Sequence, residues 1–457
     1  MFLHGLDGKR LPEAVLDRAR YFLLDYLAVA IRGSREESAR AAQRMVQKMG
    51  APGQATVLGT GIRTLPGFAA FANGTASHSV ELDDTHSGGS IHLGTTMYSV
   101  ALALAETYGA IPSDQLLKAV VAGFEMAARV SMAAQPGEQY ALGFHPTQSA
   151  GVFGAAVTAA MLLGLSQEQM ANAVGIAGSM AAGSMEFLAE GAWTKRIHPG
   201  LAAQNGIQAA LLAAEGFVGP RRILEGRDGY LHGYSRHALP ERLTAALGET
   251  FEILQTAVKP HACCRYMQGP IDAVLDIVRG EGLAPEQIAS IEVAVLGAGW
   301  GLVAEPASKK YNPESVVDAQ FSMPFGAAVA AVCGAAGLDE FMLAQVRSQR
   351  IHEMMRKVRL VRNERIEETF PREWPALVVI ETMEGKRYER FVRYPKGDPE
   401  NPLSWDEMAA KFRSLAGAVI SAESCDAIIE RVRSDQFAGL GELAEPDLRS
   451  TQVVIER

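Results

Sequence analysis

Four cysteines in 457 residues, two of them the neighbours Cys263 and Cys264, exclude a secreted disulfide framework and fit a reducing compartment. Adjacent cysteines cannot readily pair with each other, because their Cα atoms are too close for relaxed disulfide geometry. Basic residues are also short, 43 Lys and Arg against 52 Asp and Glu, for a formal charge of −9. A protein that grips nucleic acid or an anionic membrane needs a cationic surplus, so neither partner is expected. No apolar run approaches the roughly 20 residues that cross a bilayer, and the longest candidates, such as 151–165, are rich in Ala and Gly. The N-terminal residues lack a basic stretch followed by an apolar core, so no signal peptide is expected and the cytoplasm is the expected compartment. No GxGxxG, GxxxxGK[ST], GxSxG, CxxC or HExxH motif occurs, which removes the usual sequence signs of a dinucleotide, a nucleoside triphosphate, a serine nucleophile, an iron–sulfur cluster or a zinc protease.

What the chain does have is an ordinary globular composition, 48% hydrophobic and 21% charged. From Leu11 to about Ala246 apolar residues recur at three- and four-residue spacing between Gly, Pro and Ser interruptions, which predicts a stack of helices. Ala and Gly inside those runs let helix axes approach closely. After Leu247 the texture changes. Ser290–Leu296 alternates with β-branched residues, and Trp374–Thr382 followed by Gly385–Arg393 predicts a hairpin with a charged outer face. Helical runs lie between, at Gly269–Gly280 and Asp318–Gly334, and helical periodicity returns after the Pro-rich linker Tyr394–Pro402. The expected fold is mainly α with a smaller α+β domain: a helical domain over 1–251, an α+β lid over 252–402, and helices at 403–457 that pack back on the first domain.

Three of the ten histidines occupy the same kind of place. His92, His145 and His198 each precede a predicted helix start, marked by Gly94-Thr95-Thr96, Pro146-Thr147 and Pro199. Helix starts present unpaired N–H groups and a partial positive charge, so three of them with an imidazole beside each suit a small polyanion. The third adds Lys195 and Arg196. Solvated cations are the bland alternative for any basic cluster, but the Gly-rich, apolar flanks argue for a buried carboxylate site.

The segment Glu81-Leu-Asp83-Asp84-Thr85-His86, running on to His92, is dense in carboxylates and imidazoles. It could hold a divalent metal, yet the histidines are separated by a Gly-Gly loop rather than set at i, i+4 on a helix. Acids that orient general acid–base histidines are the preferred reading, with one Asp free to cap a helix. His145 alone would read as a satisfied core histidine. The run Lys259-Pro-His261-Ala-Cys263-Cys264-Arg265 lies where the helical texture hands over to the α+β texture, a common place for small-molecule sites. A His/Lys/acid site without a cofactor motif suits proton abstraction beside a carboxylate.

Five segments together, Glu81–His86 with His92-Leu-Gly94, Gly143-Phe-His-Pro-Thr147, Lys195-Arg-Ile-His198, Lys259–Tyr266 and Asp318–Pro324, resemble the successive motifs of the MmgE/PrpD family. That family includes 2-methylcitrate dehydratases, cis-aconitate decarboxylase and iminodisuccinate epimerase. The resemblance implies small di- or tricarboxylate substrates, no metal and no organic cofactor, a helical domain built from both chain ends, an α+β lid and a homodimer. It carries the family's catalytic residues onto Glu81, His92, His145 and Lys195, with Asp84 and Thr85 as neighbours. Arg196, His198, Lys259, His261, Cys264 and Arg265 are the expected carboxylate-binding groups. The decarboxylase has Asp in place of Glu81 and a lid His in place of Cys264, which directs the expectation to a dehydratase. An epimerase and a non-catalytic polycarboxylate-binding protein are the alternatives, and a metalloenzyme is a third that chelation would test.

Overall fold

The computed structural model describes residues 2–6, 11–109, 111–370 and 372–446. It divides into two compact units, Met1–Thr256 with Ser404–Arg457, and Ala257–Leu403. The protein is mainly helical, with strands of more than two residues in the second unit alone among the described residues.

In the first unit, α1 (Glu13–Gly33) is buried without interruption from Tyr21 to Ile31 and forms the centre of a helical bundle. Such an all-round apolar stretch has no solvent face and must be enclosed by other helices. Around it lie α2 (Glu37–Met49), α3 (Pro66–His78), α4 (Gly94–Tyr108) and α5 (Ser113–Ala134). One turn, α6 (Pro146–Ser149), leads into α7 (Gly151–Leu162), followed by α8 (Gln167–Gly178) and α9 (Thr194–Ala214). The approach of α3 to α9 matters most for function. A Cβ on Gly74 would lie 2.7 Å from the Gly200 backbone, so only the paired glycines let these two helices meet. That contact sets the first turns of α9 against the end of α3.

The second unit contains α10 (Gln268–Glu281), β1 (Ile288–Ala294), α11 (Met323–Cys333), β2 (Val358–Val361), β3 (Ala376–Thr382) and β4 (Arg387–Val392). Its sheet has the order β2-β1-β3-β4, with β1 and β2 parallel and the other pairs antiparallel. Register places Val293 opposite Val378 and Ile291 opposite Ile380. All four are buried, as the period of two requires on a covered face. The predicted hairpin is present, and its edge strand β4 exposes Arg387, Glu389 and Arg390. Charges on an edge discourage pairing with another chain.

The chain then returns to the first unit through α12 (Trp405–Ala416) and α13 (Ala422–Arg433). Trp405 meets Tyr21 of α1 edge to face at 5.5 Å, and Lys411 reaches Asp25 of α1 at 2.6 Å. Among the described residues, no helix is long and apolar enough to cross a membrane.

Candidate active site

Two of the three predicted helix starts have the expected local form. α4 begins at Gly94, two residues after His92, and His145 is the residue before α6. The third expectation is corrected. α9 starts at Thr194, so His198 and Pro199 lie inside it rather than before it. Pro199 resembles a first-position proline in sequence, but here its missing N–H costs a ladder bond one turn into the helix. Lys195, Arg196 and His198 therefore point in three directions from the first turns of α9.

One of those directions is occupied by imidazoles. Nδ1 of His198 lies 2.9 Å from Nδ1 of His145, and Nε2 of His145 lies 3.3 Å from the Thr147 hydroxyl. The same hydroxyl accepts the His92 backbone N–H at 3.3 Å. His92 and His145 have ring centroids 6.2 Å apart. Lys195 Nζ donates to the Glu81 carboxylate, and both side chains are buried. Glu81 itself sits at φ 55°, a left-handed conformation that a non-glycine residue adopts at a cost of about 1–3 kcal/mol and that concentrates at functional sites.

The carboxylate that reaches His92 is Asp83, whose Oδ2 lies 2.8 Å from Nδ1. Asp84 offers His92 its backbone carbonyl, 2.7 Å from the same nitrogen. The Asp84 side chain turns the other way and caps α4, with both oxygens 2.9 Å from the Gly94 N–H. A Cβ on residue 94 would lie 2.8 Å from Asp84 Oδ1, which explains the glycine. Thr85 Oγ1 stands 3.4 Å from His92 Nδ1. His86 is committed to structure: Nε2 meets Glu252 at 3.0 Å and Nδ1 accepts the Gly89 N–H.

Sequence reading missed His78. It is the last residue of α3, fully buried, and its Nδ1 lies 2.8 Å from the same Asp83 oxygen that meets His92. One carboxylate therefore holds two imidazoles, whose rings are 4.6 Å apart. The available signal was the spacing His78-x4-Asp83, weak in sequence because it spans the end of a helix.

Burial sets the electrostatics. It drives the His145 pKa well below the ordinary histidine value, helped by His198 and Lys195. Burial, then His78 and Lys195, push His198 down to about 3. His78 is also lowered by burial, against the pull of Asp83. All three rings are thus neutral near pH 7, and neutral imidazole can accept a proton. Burial pushes the Asp84 carboxyl up to about 8, opposed by the Gly94 N–H.

The remaining expected groups are placed elsewhere. Arg196 is buried and donates to Ser38 Oγ of α2 at 3.0 Å; burial lowers its pKa. In the second unit, Lys259 is fully buried, and His261 Nε2 lies 2.8 Å from Asp272. Arg265 pairs with Asp398 and stacks 4.9 Å over Trp374, and Cys264 is buried with its backbone N–H on the Gln320 carbonyl. The Arg265 guanidinium is thereby built into the fold of its own unit.

The arrangement in the first unit has the parts a buried acid–base centre needs: neutral imidazoles, one ammonium balanced by one carboxylate, and a second carboxylate against two rings. Residues 1–242 match the MmgE/PrpD N-terminal domain and residues 261–435 the MmgE/PrpD C-terminal domain. A cis-aconitate decarboxylase-like protein of Aspergillus oryzae is 30% identical, covering 94% of this chain and 92% of its own length. A cis-aconitate decarboxylase of Aspergillus terreus is 27% identical, with 90% and 86% coverage, and that of Homo sapiens is 26% identical, with 94% and 90%. With both domains matched in order along nearly the whole chain, the protein belongs to the MmgE/PrpD family.

Proposed function

We propose that the chain is a lyase that removes a proton α to a carboxylate of a small hydroxy di- or tricarboxylate, such as 2-methylcitrate, and expels the β-hydroxyl as water, without a metal or organic cofactor. The observation that carries this reading is the burial of His92, His145, Lys195 and Glu81 in one cluster of the helical unit. Neutral His145 takes the α proton, and the C–H electrons form the new double bond. Lys195 offsets the negative charge that develops on the substrate carboxylate. His92, whose Nδ1 lies against the Asp83 carboxylate, gives its proton to the departing hydroxyl. Within the same unit, His198 orients His145 through their Nδ1–Nδ1 contact, and Arg196 adds a buried fixed cation. A cytoplasmic homodimer belongs to it too, and light scattering that returned the mass of one chain would remove the dimer.

Decarboxylation is a second reading, favoured by the names of the relatives, cis-aconitate decarboxylases at 26–27% identity and a cis-aconitate decarboxylase-like protein at 30%. It uses the same base and cation but breaks a C–C bond. Proton NMR of the EDTA-treated protein in D₂O separates the possibilities. Loss of the methine proton of 2-methylcitrate with collapse of its methyl doublet to the singlet of a methyl on a double bond, or a new vinyl proton from citrate, is the expected result. Carbon dioxide release from cis-aconitate would favour the second reading. Deuterium uptake by iminodisuccinate without elimination would indicate an epimerase, and saturable binding without exchange a binding protein.

A further inference from the structure

One ring nitrogen from each of His78, His92 and His145 lies within 4.8 Å of the other two, and all three rings are buried. The proposed reaction gives His78 no step. Its Nδ1 is engaged by Asp83, while its Nε2 is buried with no hydrogen-bond partner among the described residues. A buried polar atom left in that state is costly unless something coordinates it. His92 is held from the same side, by the same Asp83 oxygen. A carboxylate behind an imidazole is the arrangement that supports metal-bound histidines: it fixes the Nδ1–H tautomer and turns the Nε2 lone pair inward. The His145 ring lies nearly parallel to that of His78, with centroids 6.1 Å apart.

We propose that His78, His92 and His145 bind a zinc-class divalent ion that inhibits the enzyme. Three imidazoles select zinc and its d-block neighbours over magnesium or calcium, which require oxygen ligands. Zinc–nitrogen bonds of about 2.0–2.1 Å place tetrahedral ligand nitrogens roughly 3.4 Å apart, so side-chain rotations that close the triad by an ångström or so suffice. The Asp83 carboxylate behind two of the ligands offsets part of the ion's charge, and Lys195 is already balanced by Glu81. An ion there takes the place of the proton that His92 donates and the lone pair with which His145 accepts one, so metal and proton chemistry exclude each other. The inhibitory effect rests on the proposed function; the binding does not.

Cobalt(II) titration of the EDTA-treated full chain, followed by visible absorption, tests the binding independently of turnover. The expected result is one Co²⁺ per chain with the d–d bands of a four-coordinate site of three nitrogens and one water, displaced by Zn²⁺. His78→Ala should weaken affinity at least tenfold, with the wild-type far-UV CD spectrum retained; if that variant does not fold, Asp83→Asn is expected to weaken it similarly. Zn²⁺ should lower turnover in step with occupancy, and EDTA should restore it. No cobalt bands, equal affinity in the His78 variant, or a thiolate charge-transfer band placing the ion at cysteine would overturn the site. Activation by Zn²⁺ would overturn the inhibitory role, and a protein inactive on every substrate would sink the proposed reaction while leaving the cobalt result decisive for the site.

Discussion

Nδ1 of His145 faces Nδ1 of His198 across 2.9 Å, so with both rings neutral one of them donates the proton and the other accepts it. The pair ties the tautomer of the proposed base to that of His198. Replacing His145 or Lys195 by Ala should lower turnover by a factor of roughly a hundred or more, the usual cost of losing a general acid or base or the charge that supports it. The NMR assay on variants with native CD spectra checks this, and turnover within a few-fold of wild type would remove those residues from the mechanism.

Asp83 holds His78 and His92 through one oxygen atom. Asp83→Asn removes the charge and leaves both rings free to adopt the other tautomer. Turnover should fall by roughly 10- to 100-fold with little change in KM, as for orienting groups behind a reacting side chain. A change in KM alone would mean that Asp83 serves substrate binding.

Gly94 packs against the carboxylate that caps its own helix, leaving no room for a methyl group. Gly94→Ala should destabilise the protein by about 1–3 kcal/mol, the cost of forcing extra volume into a packed site. A thermal midpoint equal to wild type would show that the cap can shift aside.

Asp84 carries a pH signature. Its carboxyl is pushed up to about 8 by burial, against about 3.9 in an unfolded chain. The folded state therefore keeps a proton that the unfolded state has lost, so this group's contribution to stability is complete below pH 4 and declines as pH rises towards 8. Asp84→Asn keeps an acceptor for the Gly94 N–H but cannot ionise. Its thermal midpoint should fall less between pH 5 and pH 8 than that of wild type; parallel curves would show that Asp84 is ionised in the folded protein throughout.

Lys411, on the returning helix α12, donates to Asp25 at 2.6 Å and to the Leu82 carbonyl at 2.9 Å. It ties the last helices of the chain to the acidic loop that carries Glu81 and Asp83. Lys411→Met removes the ammonium from a buried carboxylate and should cost about 3 kcal/mol, with part recovered on adding Asp25→Asn. Chemical denaturation measures both, and additivity of the two changes would show that the pair is not coupled.

Much of the fold was legible because it follows from local pattern. The helical periodicity from Leu11 to about Ala246, the strand within Ser290–Leu296 and the hairpin within Trp374–Arg393 each reflect a period that burial on one face imposes. The start of α9 was misplaced because Pro199 carries the local marking of a helix start, and only packing against α3 through Gly74 and Gly200 shows that the helix begins five residues earlier. In the site, His92, His145, Lys195 and Glu81 stood out by residue type and flanks. His78 did not, since nothing local distinguishes a histidine at the end of an Ala-rich helix from one that fills space.

The sequence by itself determined the family, the helical and α+β textures and the residue types of an acid–base centre, because motifs and periodicities are properties of short segments. Only the tertiary structure decided that Asp83 rather than Asp84 serves the imidazoles, that Asp84 caps a helix, and that His78 joins His92 and His145. Neighbouring carboxylates on one loop look alike in sequence. Which one faces a ring and which a helix N-terminus depends on backbone direction, and that is fixed by contacts between segments far apart in the chain.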